Sequence, residues 1–191
     1  MQDRLESGFA LDRRWHLLRG TMEQSKKPAL VLLARVLSEA GVPYAVIGGV
    51  ALQVHQEEPR TTLDIDLAVL DRAAIPAARL EASGFQRTGS FAHSENWIGP
   101  ESTPVQFTAD PELAQSVLRA GEINLDGYLL RVIGKADLLH EKLRAGRDPE
   151  RRRSKRLQDI ADAQGLIEGD PSLAVGLTED ERSFLERWTV E

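Results

Sequence analysis

The chain contains no cysteine, which excludes disulfides, thiolate zinc sites and a cysteine nucleophile and is compatible with a reducing compartment. No apolar run approaches the roughly 20 residues that a membrane span needs, and the opening stretch MQDRLESGFALDRRWHLLRG lacks the apolar core of a signal peptide. A cytoplasmic protein with no membrane partner is therefore expected. Aromatic residues are scarce, and Trp15, Trp97 and Trp188 are too dispersed to form a stacking platform. His16, His55, His93 and His140 show no close ligand spacing, which argues against a zinc site. Positive charge is also short: a formal net charge of −6 is a poor balance for coating nucleic acid indiscriminately.

What is present fits one globular domain of 191 residues, with 41% hydrophobic content arguing against global disorder. The acidic average hides a contrast. Residues 141 to 156, EKLRAGRDPERRRSKR, hold eight Lys or Arg against three acids, a local net of +5 that leaves −11 on the rest. One face is thereby suited to phosphates.

Residues 1–27 read as an N-terminal arm or short helix, because their charged sequence has no sustained periodicity. From Pro28, Leu30, Leu33, Ala34, Leu37 and Ala40 recur at helical spacing, with Gly41 and Pro43 as a stop. A core over 28–134 then follows: a short apolar strand PYAVIG, a helix opening at Gly48-Gly49, and a strand TTLDIDLAVL. A helix over 73–83 is expected next, then strands near 85–87, 96–98 and 105–108, a helix over 111–121, and two strands about the turn Asp126-Gly127. The C-terminal part, 135–191, reads as helices over 135–145, 152–167 and 178–188, the last opened by a capping box from Thr178 to Glu181. This order predicts an α/β (α+β) fold, a mixed β-sheet flanked by helices, with a C-terminal helical part carrying the basic segment.

Two features carry chemistry. An apolar strand entering Gly48-Gly49 and then a helix presents unpaired N–H groups where glycine permits close approach, a turn that can hold phosphate oxygens. By itself such a turn is more often structural. Its partner is Asp64-Ile65-Asp66: in a strand both carboxylates project to one face while Leu63, Ile65 and Leu67 project to the core. Paired carboxylates repel unless a cation lies between them, and Mg²⁺ takes one or two carboxylates plus phosphate oxygens. Two solvated aspartates on an edge strand are the bland alternative.

Gly48-Gly49, then fourteen residues, then Asp64-Ile65-Asp66 resembles the signature of the nucleotidyltransferase superfamily, the polymerase-beta-like fold. Arg60-Thr61-Thr62-Leu63-Asp64-Ile65-Asp66 resembles the R-x-T-x-D-I-D form of the AbiEii/AbiGii toxin-like branch. Lys142-Leu143-Arg144, the arginines at 147 and 151, and Gln158-Asp159-Ile160-Ala161-Asp162 resemble that branch's lysine, arginine-rich segment and K-D-x-x-D-like helix. The resemblance runs from about Tyr44 to Ile167. It implies that Gly48, Gly49, Arg60, Thr62 and Lys142 bind the nucleotide and that Asp64 and Asp66 bind Mg²⁺ (or Mn²⁺). It also implies transfer of an NMP group from an NTP to a hydroxyl on RNA, protein or a small molecule. In this branch such a protein is the toxin of a toxin-antitoxin or phage-defence pair, with a cognate antitoxin as partner and RNA meeting residues 142–156.

One position departs from the pattern. Where these families place a third carboxylate, this chain has Pro104-Val105-Gln106-Phe107-Thr108. Gln106 is neutral and makes no useful general base near neutral pH. Asp110, four residues on, would lie roughly 13 Å further along a strand; the resemblance of the 158–162 helix to the K-D-x-x-D-like one implies Asp159 as a catalytic carboxylate near the site. Plainer readings stand beside these: Lys142 snorkelling from the core edge, Asp159 in an exposed pair with Lys155, Arg151 to Arg153 as a solvated face, His55 as structural and His93 as a loop histidine rather than an acceptor contact. Three functions compete: the enzyme, a lapsed nucleotide-binding module marked by Gln106, and an RNA-binding protein using residues 141 to 156.

Overall fold

The structure, a computed structural model, describes residues 1–19, 25–58 and 60–189. Helix α1 (Gln2–Leu18) buries Leu5 and Phe9 and packs on α3; it occupies the segment read as a short helix or arm. Helix α2 (Lys27–Glu39) buries Leu30, Leu33, Ala34 and Leu37 on one stripe, and Gly41, with φ of +64°, turns the chain out of it.

Seven strands form one mixed sheet: β1 (Tyr44–Ile47), β2 (Ile65–Val69), β3 (Gln86–Ser90), β4 (Ser94–Ile98), β5 (Pro104–Thr108), β6 (Gly121–Leu125) and β7 (Tyr128–Val132), in the order β3-β4-β5-β2-β1-β7-β6. All four residues of β1 are buried because it lies between antiparallel β2 and parallel β7, with both faces covered. β3 is an edge strand, and its sequence QRTGS is correspondingly polar and mostly exposed. Asp126 and Gly127, both at positive φ, close the β6–β7 hairpin.

Helices α3 (Gly48–His55), α4 (Ala77–Ala82) and α5 (Ala114–Leu118) connect the strands. Helices α6 (Lys135–Arg147), α7 (Arg153–Gly169) and α8 (Glu179–Thr189) form the C-terminal helical region. The Thr178–Glu181 box forms as expected: Glu181 N–H donates to Thr178 Oγ1, and Thr178 N–H to Glu181 Oε2. None of the helices among the described residues is long and apolar enough to cross a membrane.

Three expectations are corrected. The helix over 73–83 is broken, because Ile75, preceding Pro76, is extended, so that a short 3-10 turn (residues 72–74) precedes α4. The helix over 111–121 begins as a 3-10 turn and ends at Leu118, with Gly121 already in β6. The motif strand begins at Ile65 rather than Thr61, and Leu63 is 42% exposed instead of in the core. The last has a direct cause: both backbone groups of Thr62 are taken by side chains, so that stretch has no ladder partner to offer.

Register fixes the level of the site. Ile47, at the end of β1, pairs with Asp66; Asp66 pairs with Gln106 of β5, and Gln106 with Asn96 of β4. Registered neighbours share a sheet face, so Asp66, Gln106 and Asn96 form a row beside the glycine turn.

Candidate active site

At the end of β1, Gly48 turns the chain into α3 with φ of +61°, a backbone that favours glycine. A Cβ at Gly48 would collide with Asp66 Oδ2, and one at Gly49 with Thr62 Oγ1. The two glycines therefore let the N-terminus of α3, with its unpaired N–H groups and positive dipole end, lie directly against the aspartate motif. Its N-cap residue, Ile47, makes no side-chain capping hydrogen bond.

The motif loop is clamped by Asp12 of α1 and by Lys26, just before α2. Lys26, buried, donates to Thr62 O at 2.9 Å and pairs with buried Asp12, while Asp12 Oδ1 accepts from Thr62 N–H at 3.1 Å. With its backbone held at both ends, Thr62 donates Oγ1–H to Asp64 Oδ1 at 2.7 Å. Burial lowers the Lys26 pKa, and Asp12 opposes that shift.

A second cluster closes the site from α6 and α7. Lys142 is 4% exposed, so it does not snorkel. Its Nζ meets Asp159 Oδ1 at 2.9 Å and Asp162 Oδ2 at 3.2 Å. Arg151 Nε meets Asp159 Oδ2 at 2.7 Å, and Arg60 grips Asp162 with Nε and Nη2 at 2.8 and 2.9 Å. Asp159 is thus a 2%-exposed anchor between two cations, in place of the exposed pair with Lys155.

Gly48, Gly49, Arg60, Thr62, Asp64, Asp66, Lys142 and Asp159 all line one cavity of about 810 Å³. Gln106 is in its wall, exposed, with Nε2 donating to Asn96 Oδ1 at 3.1 Å. Asp110 also reaches the wall, although its carboxylate is tied to Arg144 at 2.7 Å. His93 is exposed in the β3–β4 turn and lies off the wall, and His55 Nε2 bonds Ile133 O at 2.7 Å, a structural contact.

Electrostatics single out Asp66. Removal from water, then the neighbouring Asp64 carboxylate, push its pKa up to about 7, with Lys142 opposing. Burial alone would lower Lys142, but Glu141, Asp162 and Asp159 outweigh it and hold the ammonium above its ordinary value. Among the described residues no three His, Asp or Glu side chains form a metal cage. Mg²⁺ needs only one or two carboxylates when phosphate oxygens and water complete its shell. Asp64 and Asp66 supply that number, and a divalent cation would relieve their repulsion, so the donor set fits Mg²⁺ brought with a nucleotide.

Three contributors escaped the sequence reading: Asp12, Lys26 and Glu141. Asp12 had a signal, an acid at the helical spacing set by Leu5 and Phe9 on a buried stripe. Asp162 is the second aspartate of the K-D-x-x-D-like match, and its ties to Arg60 and Lys142 are what the motif did not specify. Glu141 and Lys26 had none.

Neither a family model nor a curated protein matches the chain. Solved structures do. An antigenic nucleotidyltransferase-like protein from Paracoccidioides brasiliensis is 24% identical, with a TM-score of 0.56 over 85% of this chain and 86% of that one. The lincosamide antibiotic adenylyltransferase LnuA, bound to lincomycin, is 16% identical, with a TM-score of 0.52 over 74% of this chain and 96% of that one. ANT(2'')-Ia in complex with adenylyl-2''-tobramycin is 14% identical, with a TM-score of 0.53 over 86% of this chain and all of that one (100%). At these identities the likeness is one of fold, and the chain has a nucleotidyltransferase-like fold.

Proposed function

We propose that this chain is a Mg²⁺-dependent nucleotidyltransferase that moves an NMP group from an NTP to a hydroxyl acceptor. The observation that carries the reading is Asp66, crowded by Asp64 and pressed against the Gly48 turn inside a cavity that also holds Lys142. Gly48 and Gly49 hold triphosphate oxygens through backbone N–H groups. Asp64 and Asp66 hold Mg²⁺ (or Mn²⁺), which when bound neutralises charge on the transferring phosphorus. Lys142, lining the same cavity, stabilises that charge and is kept in place by Asp159 and Asp162. Asp159 is on this reading a positioning residue, since both its oxygens hold cations. Arg60 acts likewise through Asp162, and Thr62 orients Asp64. The acceptor oxygen bonds the α-phosphorus, the bond to the bridging oxygen breaks, and pyrophosphate leaves.

Among acceptors, the basic segment favours RNA: Arg151, Arg152 and Lys155 line the cavity mouth beside the catalytic cluster. LnuA bound to lincomycin and ANT(2'')-Ia bound to adenylyl-2''-tobramycin make a small hydroxylated molecule the alternative acceptor class. The AbiEii/AbiGii-like motif supports a toxin role with a cognate antitoxin, acting in the cytoplasm. A second reading, a lapsed nucleotide-binding module, is favoured by neutral Gln106 at the position registered with Asp66.

The test is to incubate the protein with Mg²⁺, each α-labelled NTP and total bacterial RNA. Label is expected on RNA or on the protein itself, and none with Asp66→Asn. Transfer retained by that variant sinks the assignment; nucleotide binding without transfer by the wild type leaves the lapsed module.

A further inference from the structure

Nucleotidyl transfer leaves a proton to be placed, because the attacking hydroxyl must lose it as its oxygen bonds phosphorus. Gln106 has no basic form to receive it. Five carboxylates line the cavity: Asp64, Asp66, Asp110, Glu141 and Asp159. Four are engaged. Asp159 is held by Lys142 and Arg151, Asp110 by Arg144, Asp64 accepts from Thr62, and Asp66 abuts the glycine turn and pairs with Asp64 as the cation site. Glu141 differs: its Oε2 is buried and finds no hydrogen-bond partner among the described residues. An oxygen withdrawn from water and left without a donor is costly unless a ligand group supplies one.

We propose that Glu141, on α6, is the general base of this site, receiving the acceptor hydroxyl's proton in place of the carboxylate that Gln106 replaces. The inference rests on the nucleotidyltransferase reading above. Glu141 takes the proton, the acceptor oxygen bonds the α-phosphorus, the bridging P–O bond breaks with its electron pair, and pyrophosphate departs. The proton then passes from Glu141 to solvent. Two observations separate this role from cation binding. No three carboxylates among the described residues are arranged as a metal cage, so Glu141 does not complete one with Asp64 and Asp66. Glu141 and Lys142 both line the cavity, so the base shares it with the cation that meets the charge forming on phosphorus.

The charged groups around it fit the task. Burial raises the Glu141 pKa, Lys142, Arg144 and Arg151 oppose that shift, and Asp159 adds to it. Asp66 and Glu141 also feel one another. A carboxylate whose pKa is raised is a better proton acceptor than one in water.

The test compares wild type with Glu141→Gln, reading nucleotide affinity, turnover and the pH dependence of turnover. Turnover at saturating Mg²⁺-nucleotide, where the cation has displaced the Asp66 proton, is expected to fall about 10²- to 10⁴-fold, with nucleotide affinity within about twofold and the acid limb that remains under those conditions lost. Glu141→Ala is expected to recover transfer in added formate. A Glu141→Gln variant as fast as wild type, or one slowed with an unchanged pH profile, overturns the inference alone. A wild type that transfers no more label than Asp66→Asn overturns the underlying reading, and this inference with it.

Discussion

Asp66 binds a proton more tightly than an aspartate in water because the fold buries it and then sets Asp64 beside it, raising the pKa from 3.8 to about 7. The consequence for stability has a definite sign. Between these values the folded chain binds a proton that the unfolded chain does not, so this group's contribution is full below about pH 4 and is lost as pH rises towards 7. Denaturant unfolding without metal should show that loss, and Asp66→Asn should flatten it. Mg²⁺-nucleotide must compete with the same proton. Calorimetric titration at pH 6.5 in two buffers of different ionisation enthalpy should therefore report proton release by wild type and none by Asp66→Asn. Equal proton release by both would remove Asp66 from the cation site.

At the scale of elements, the aspartate motif is held by a helix remote from it in sequence. Asp12 on α1 and Lys26 before α2 take both backbone groups of Thr62. Asp12→Ala leaves a buried ammonium unpaired, and breaking such a pair costs about 3–5 kcal/mol; urea unfolding measures it. Replacing both partners, Asp12→Leu with Lys26→Met, should recover most of that stability while weakening nucleotide binding, since Thr62 and hence Asp64 lose their anchor. The same clamp explains what was legible. Features set by near neighbours could be read directly: the α2 stripe, the Asp126-Gly127 hairpin, the Thr178–Glu181 box and the glycine turn before α3. The start of β2 could not, because it depends on side chains 36 and 50 residues away. Nor could the engagement of Asp159, which needs α6 and α7 to pack before Lys142 and Arg151 reach it.

Over the whole molecule, one cavity gathers the two halves of the site, the acidic motif at the start of β2 and the cationic cluster of α6, α7 and their connection. The mixed architecture was readable from the order of elements, while the pairing of β2 with β5 and of β1 with β7 was not, since both join segments distant in the chain. Charge is divided in the same way. The basic segment lies at the cavity mouth of an otherwise acidic chain, and much of it is already committed, Arg144 to Asp110 and Glu112 and Arg147 to Glu181. Arg152 and Lys155 line the mouth without a carboxylate partner among the described residues. If RNA is the acceptor, replacing both with Ala should shallow the salt dependence of RNA binding by roughly 0.7 in log–log slope for each, measured by filter binding across a salt series. An unchanged slope would move the acceptor elsewhere.

The most direct measurement is pyrophosphate release from the four NTPs with Mg²⁺ and total RNA, wild type beside Asp66→Asn. The account predicts release by wild type that depends on Mg²⁺, matches the NMP incorporated and disappears in the variant. Release that persists in Asp66→Asn, or none from wild type that still binds nucleotide, would contradict it.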